Sequence, residues 1–300
     1  MFSFVIFEIK KLKNTQALTV SNIRQETLNS VVISFEIPSN LKSQYAFKAG
    51  QYLTLSSNIN GEKVKRSYSI CSSPESMSLQ VGVKAIENGV FSNYVNDALR
   101  EGDSIEVSVP EGRFVLNDNP VANYCAFVAG SGITPLMSIV SDVLSKNESS
   151  VFIMGYGNKT KASTMFTSDI DKLKSLYPKR FYCYNIYSKE NNPEAAFGRI
   201  DSNFINYILK QHSDVIFEKV LLCGPEKMIE DSKETLEKAN YSKDKVLYEL
   251  FYSKPVFEDN EKGKGSSAKI IYDEETLDLE VPEKMTILDA ALQKNIDVPY

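Results

Sequence analysis

The hydrophobic patterning of this 300-residue chain changes character at NDNP, residues 117–120. Before it, over residues 18–116, short segments alternate apolar and polar side chains: ALTVSNI, VVISFEI, GQYLTLS, RSYSI, SLQVGVKAI and SIEVSVP. Turn-forming NING and REGD lie between some of them. Alternation puts successive side chains on opposite faces of a strand, and several such strands at close spacing predict a small antiparallel β-barrel. One helix, about 92–99, interrupts the run. Beyond residue 120 the strand-like runs are apolar throughout: YCAFVAG, SVFIMGYG, RFYCYNIYS, KVLLCG and KVLYELF. Helical stretches near 135–145, 165–176, 203–210 and 225–239 separate them. Strands that are apolar on both faces must be covered on both, which predicts an α/β domain with a parallel sheet.

A polar, Gly/Ser-rich stretch, SKPVFEDNEKGKGSS, follows and reads as a flexible linker. AKIIYDEETLDLEVPEK then reads as a β-hairpin, and TILDAALQKNIDVPY as a short amphipathic helix over 286–294 running into an extended end. The chain is thus expected to be multi-domain: a barrel over 1–117, the α/β domain over 118–252, a linker over 253–267 and a small third unit over 268–300. A net charge of -5 argues against nucleic acid as the main partner. The apolar opening MFSFVIFEI is too short for a signal sequence or a membrane span, so a soluble, cytoplasmic protein with no membrane contact is expected. Cys71, Cys125, Cys183 and Cys223 form no Cys-x-x-Cys pair, and His212 is the sole histidine. No metal site is expected from these residues.

Four stretches carry chemistry. VAGSGITPLMS follows an apolar strand and opens a helix, the setting of a phosphate-cradling loop. There Gly130 permits a tight turn, Gly132 admits a close approach, Thr134 can cap, and Pro135 suits the first helical turn while standing where a third glycine is usual. LLCGPEKMI ends a strand at Cys223, turns at Gly224 and starts a helix at Pro225, placing Cys223 at the ligand-binding edge of an open sheet. A tight turn beside a buried thiol is the plainer reading. RSYSI puts Arg66 and Tyr68 on one face of a strand and Ser69 on the other: a fork for phosphate and a ring for a flat heterocycle, or else ordinary cross-strand pairs. In ENGVFSNYV, Gly89 turns and Ser92 is a good N-cap, offering the helix N-terminus to an anion or simply capping it.

In this order, RSYS, GVFS, GSGITP and CGPEKM resemble the motifs of the ferredoxin–NADP reductase superfamily, over residues 18–251. The resemblance implies a flavin-binding barrel followed by a nucleotide-binding domain, with FAD as the family's usual flavin and FMN the alternative. Arg66 would hold the flavin pyrophosphate, Tyr68 would stack on the isoalloxazine, and Ser69 would bond near its N5. Gly89, Phe91 and Ser92 would form the flavin phosphate motif. Gly130, Gly132, Thr134 and Pro135 would cradle the nicotinamide nucleotide, with Cys223, Gly224 and Pro225 bordering its reactive ring. Glu249 and Phe251 fall where the sheet returns to the flavin edge, with packing an equal reading. Ser69, Tyr68, Cys223 and Glu249 are the expected catalytic set. Ser188-Lys189 is similar to the family's Ser-Arg pair for a 2′-phosphate, so NADPH is expected, with NADH open; lysine binds phosphate less directionally than arginine.

Residues 268–300 resemble the start of a plant-type [2Fe–2S] ferredoxin domain, stopping before the Cys-x4-Cys-x2-Cys loop, so a cluster is expected only in a longer chain. A reductase followed by a ferredoxin occurs among reductases serving oxygenases such as phenylacetyl-CoA epoxidase. The expected function is therefore hydride uptake from NADPH and single-electron delivery to an iron–sulfur centre, with an oxygenase or ferredoxin as acceptor. The alternatives are a stand-alone ferredoxin or flavin reductase, or a nucleotide-binding regulatory subunit without turnover.

Overall fold

The computed structural model describes residues 6–8, 15–76, 78–116, 122–251, 266–272, 275–281, 287 and 290. It divides into two compact units, one gathering Met1–Gln16 with Tyr252–Tyr300, the other Ala17–Phe251. In the first, β1 (Ile6–Glu8) runs parallel to the leading strand of a C-terminal hairpin.

The second unit opens within β2 (Thr15–Thr27), from Ala17 onward, and continues with β3 (Ser30–Glu36), β4 (Tyr52–Ile59), β5 (Glu62–Ser69) and β6 (Leu79–Lys84). Helix α1 (Val90–Asp97) and β7 (Ser104–Ser108) follow. The six strands form an antiparallel sheet in the order β5-β4-β7-β2-β3-β6. A bridge between Ile70 and Val81, with Cys71 N–H donating to Gln80 O, stitches the end of β5 to β6. The sheet therefore curls into a half-barrel, as its alternating pattern predicts. Leu53, Leu55, Leu79, Val81 and Val83 fill its inside. Helix α1 adds Phe91 and Val95 to the same core.

Next come β8 (Asn123–Ala129), α2 (Ile133–Lys146), β9 (Phe152–Asn158), α3 (Thr167–Leu176), β10 (Phe181–Tyr187) and β11 (Ala196–Phe197). Helix α4 (Ser202–Gln211), β12 (Phe217–Gly224), α5 (Glu226–Lys238) and β13 (Val246–Leu250) complete the unit. The sheet order is β11-β10-β9-β8-β12-β13, with every neighbouring pair parallel. All of β9 is buried, which explains its unbroken apolar pattern. Strand order reverses between β8 and β12, and such a reversal opens a crevice at the carboxyl ends of the strands.

Three helix starts differ by two residues from the sequence expectation. Helix α1 begins at Val90 with Gly89 as N-cap, because Asn93 N–H already closes a turn onto Gly89 O. Ser92 is therefore inside the helix rather than its cap. Helix α2 begins at Ile133 with Gly132 as N-cap, so Thr134 and Pro135 lie within the first turn and Thr134 does not cap. Helix α3 begins two residues late, because Phe166 is left-handed at φ +59°.

The half-barrel and the α/β layer share a core: Val32, Ala49, Cys71 and Phe114 pack with Ile133, Leu136, Ile139 and Val140 of α2. The Ser138 hydroxyl donates to Ser72 O at 2.6 Å across the same seam. In the other unit, β14 (Ser266–Tyr272) and β15 (Glu275–Val281) form the predicted antiparallel hairpin. Leu279 and Val281 are buried and Asp278 and Glu280 exposed, the alternation of a half-buried strand. The linker and the C-terminal helix and end fall largely or wholly outside the described residues. Among the described residues no helix is long and apolar enough to cross a membrane.

Candidate active site

At the reversal point, β8 and β12 end side by side, with Cys223 opposite Val128. The chain leaves β8 through Gly130, which is left-handed at φ +57° and has open space where a Cβ would stand. Gly132 is the opposite case. A Cβ there would fall 2.4 Å from Cys223 O and 2.7 Å from its carbonyl carbon, so only glycine lets this turn lie against β12. Gly224, at φ +154°, then turns the chain away into α5, for which Pro225 is the N-cap. The Cys223 side chain is fully buried, and burial holds its thiol well above the ordinary range. It is thus a neutral packing group rather than a thiolate.

Glu249 sits beside Cys223 in the β12–β13 register. The half-barrel reaches the same place: Ser69, buried at the end of β5, donates its hydroxyl to Glu249 Oε2 at 3.4 Å. Burial pushes the Glu249 carboxyl up to about 7, partly offset by that hydrogen bond. Phe251 N–H reaches Gly224 O at 3.5 Å, returning the chain to the same edge. Tyr68 is half-buried, its ring tilted 34° against Phe91 with centroids 5.8 Å apart. Burial raises its phenol, keeping it neutral. Arg66 is exposed, its guanidinium donating to Lys65 O. The buried Ser92 hydroxyl accepts from Ile86 N–H at 3.3 Å and donates to Gly89 O at 3.4 Å, tying the GVFS turn together.

Residues 17–116 match the profile of the oxidoreductase FAD-binding domain, and residues 127–234 that of the oxidoreductase NAD-binding domain. The chain is 34% identical to one of the subunits of 1,2-phenylacetyl-CoA epoxidase from Escherichia coli, over 95% of this chain and 82% of that protein. It is 30% identical to the ferredoxin reductase component of 3-ketosteroid-9-alpha-monooxygenase from Rhodococcus rhodochrous, over 94% and 81%. The chain belongs to the ferredoxin reductase family. It is a flavin-dependent NAD(P)H oxidoreductase. The fold agrees with ferredoxin NADP+ reductase from Neisseria gonorrhoeae, with a TM-score of 0.68, 19% identity and coverage of 80% of this chain and 99% of that one.

The residues present suit both a flavin and a nicotinamide nucleotide. Tyr68 offers a neutral ring face, Arg66 an exposed cation, and the Gly130 turn an open approach to the N-terminus of the 14-residue α2. At the carboxyl end of β9, the side-chain amide of buried Asn158 has no close partner beyond the neighbouring Tyr156 hydroxyl, a polar group suited to a ligand. Ser188 N–H donates to Asn158 O and Lys189 N–H to Lys159 O, so the Ser188-Lys189 pair rests on the loop after β9, with Lys189 exposed.

The sequence reading missed Tyr156, Asn158 and Glu190. Tyr156 is wholly buried, and its hydroxyl lies 3.2 Å from Gly130 O and 3.5 Å from Met165 O, either of which can accept its proton. Glu190 accepts from Lys161 N–H at 2.8 Å and from the Asn192 amide at 3.1 Å. GYGN, which ends the strand with Asn158 directly after Gly157, was the available signal for Asn158. No spacing rule points to the other two. His212 bonds Tyr184 Oη through Nε2 at 2.8 Å, away from these residues in sequence.

Proposed function

We propose that this reductase takes hydride from NADPH onto FAD and passes electrons singly to an iron–sulfur acceptor serving an oxygenase. The meeting of Ser69 from the half-barrel with Glu249 and Cys223 at the strand-order reversal carries the reading. FAD, when bound, supplies the exchange between a two-electron hydride donor and one-electron acceptors. Hydride transfer needs donor and acceptor atoms roughly 3–3.5 Å apart, so the protein's task is orientation and exclusion of water.

In this proposal Tyr68 backs the flavin ring, and Arg66 with Gly89, Phe91 and Ser92 holds its phosphates. Gly130, Gly132, Thr134 and Pro135 receive the nucleotide pyrophosphate at the start of α2. Cys223, Gly224, Pro225 and Phe251 shape the ring pocket. Ser69 positions the reacting edge. Glu249, with its carboxyl near neutrality, holds or releases a proton beside the Ser69 hydroxyl. Ser188 and Lys189 select the 2′-phosphate.

The relatives named for phenylacetyl-CoA epoxidase and ketosteroid monooxygenase support an oxygenase as the ultimate acceptor. The antiparallel hairpin supports the ferredoxin-like reading of residues 268–300. The domain boundaries at 117, 252 and 267 belong to the same proposal, which the matched ranges 17–116 and 127–234 support. So does a cytoplasmic location, where thiols such as the four free cysteines stay reduced.

The test is anaerobic rapid mixing of the FAD-loaded protein with NADPH and, separately, NADH. Rapid bleaching of the flavin absorbance, faster per unit concentration with NADPH, is expected. Bound flavin that neither nucleotide reduces would leave the regulatory-subunit reading. Efficient reduction of added free flavin, without preference for an iron–sulfur acceptor, would leave the free-flavin-reductase reading.

A further inference from the structure

Helix α3 has no N-cap of its own. Its capping position is Phe166, a bulky residue in the left-handed region at φ +59° and ψ +23°, with no side chain to offer the orphan amides. The acceptor comes instead from 140 positions away: Glu26 Oε2, on β2 of the half-barrel, accepts Phe166 N–H at 2.8 Å. The Glu26 side chain is 5% exposed, and its other oxygen lies 2.6 Å from Arg24 Nη1. Arg24 Nη2 in turn reaches Asp169 Oδ2, in the first turn of α3, at 2.9 Å. A carboxylate thus meets a helix N-terminus, and a guanidinium bridges it to the helix's own acid, each the favoured sign.

Packing reinforces the junction. A Cβ at Gly82 of β6 would lie 2.7 Å from Thr134 Cγ2, 3.2 Å from Phe166 Cζ and 3.3 Å from Met165 Cε, so the half-barrel meets this loop without space between. Lys84 Nζ donates to Ser163 O at 3.1 Å. The clamped loop is connected to the nucleotide turn. Met165, next to Phe166, offers its carbonyl to the buried Tyr156 hydroxyl, which also lies 3.2 Å from the Gly130 carbonyl.

We infer that Glu26 is a positioning residue for the nicotinamide nucleotide: it caps α3 from the flavin half-barrel and, through Met165 and Tyr156, holds the Gly130 turn in its binding shape. The inference rests on the assignment of the Gly130 turn to the nucleotide, and it adds a residue that touches neither cofactor. Loss of Glu26 releases Phe166 N–H from its partner and frees the loop between β9 and α3. The nucleotide then has to order that loop at the cost of its own affinity.

The test uses the FAD-loaded full chain and measures Kd for NADP+ and NAD+ by calorimetry, with KM and kcat for reduction of an artificial acceptor. E26A is expected to keep its flavin and its kcat at saturating nucleotide, while Kd and KM rise about tenfold. E26Q, whose amide oxygen can still accept Phe166 N–H, is expected within about threefold of wild type. Y156F, which removes the link to Gly130, is expected to weaken binding as E26A does. Wild-type Kd in flavin-loaded E26A overturns the inference. If E26A does not fold, wild-type Kd in Y156F overturns it and a raised Kd supports it. A wild-type protein that binds neither nucleotide is a different failure, that of the proposed function itself.

Discussion

The Ser69 hydroxyl donates to the Glu249 carboxylate at 3.4 Å, joining the last residue of β5 to the penultimate residue of β13 across 180 positions of sequence. The bond holds together a group from the flavin half-barrel and one from the nucleotide sheet, next to Cys223. It also restrains the upward push that burial exerts on Glu249.

Replacing Ser69 with alanine is expected to leave FAD content unchanged and to slow flavin reduction at saturating nucleotide by at least about tenfold. The pH midpoint of that rate should also move upward, because the hydrogen bond that lowers the Glu249 carboxyl is gone. Rapid-mixing traces of wild type and S69A between pH 6 and 9, roughly the span around a near-neutral group, check both effects.

Glu249 should make stability depend on pH. Its carboxyl is pushed from 4.5 to about 7 in the folded protein, so the unfolded chain gives up this proton first. The native state is favoured below about pH 4.5, and this contribution is lost as pH rises through 7. E249Q stays neutral throughout. Its stability relative to wild type is therefore expected to grow over that window by roughly 2 kcal/mol, then level off, allowing for solvent around a half-buried group. Urea midpoints of the two proteins at several pH values measure it.

The two glycines of the turn after β8 should respond differently to alanine. G130A meets open space and bears only the left-handed backbone penalty, about 1–2 kcal/mol. G132A drives a methyl group into the Cys223 carbonyl, where backbone faces it and no side chain can swing away. A loss of 2 kcal/mol or more, about the usual cost of overpacking, is expected, together with loss of nucleotide affinity. Thermal unfolding and NADP+ titration separate the two variants.

Lys189 should matter for one nucleotide only. K189A is expected to reduce kcat/KM for NADPH by roughly tenfold, the scale of one charge-assisted contact, and to leave NADH within about twofold. K189R is expected to restore or improve NADPH use, because a guanidinium fork grips phosphate with two donors. Parallel kinetics with both nucleotides decide it.

The architecture was legible because it is written in local pattern. Alternation in LQVGVK announces a half-buried strand, the unbroken apolar run of FIMGYGN a strand covered twice, and GSGITP a turn into a helix. Helix starts were less legible. Whether Gly89 or Ser92 caps α1 turns on which carbonyl Asn93 N–H finds, and both residues have the composition of a cap. The late start of α3 was not legible at all, because nothing near Phe166 in sequence announces a left-handed residue held by Glu26.

Sequence by itself thus determined the two layers of the reductase body, their order and the glycines at the turns, because those follow from periodicity and backbone freedom between near neighbours. Only the tertiary structure decided that Ser69 meets Glu249, that Gly132 lies against Cys223 O and that Glu26 caps a helix of the other layer. Each of these joins residues far apart in the chain, and which side chains meet there is settled by how a curled sheet and a parallel sheet pack together around one core.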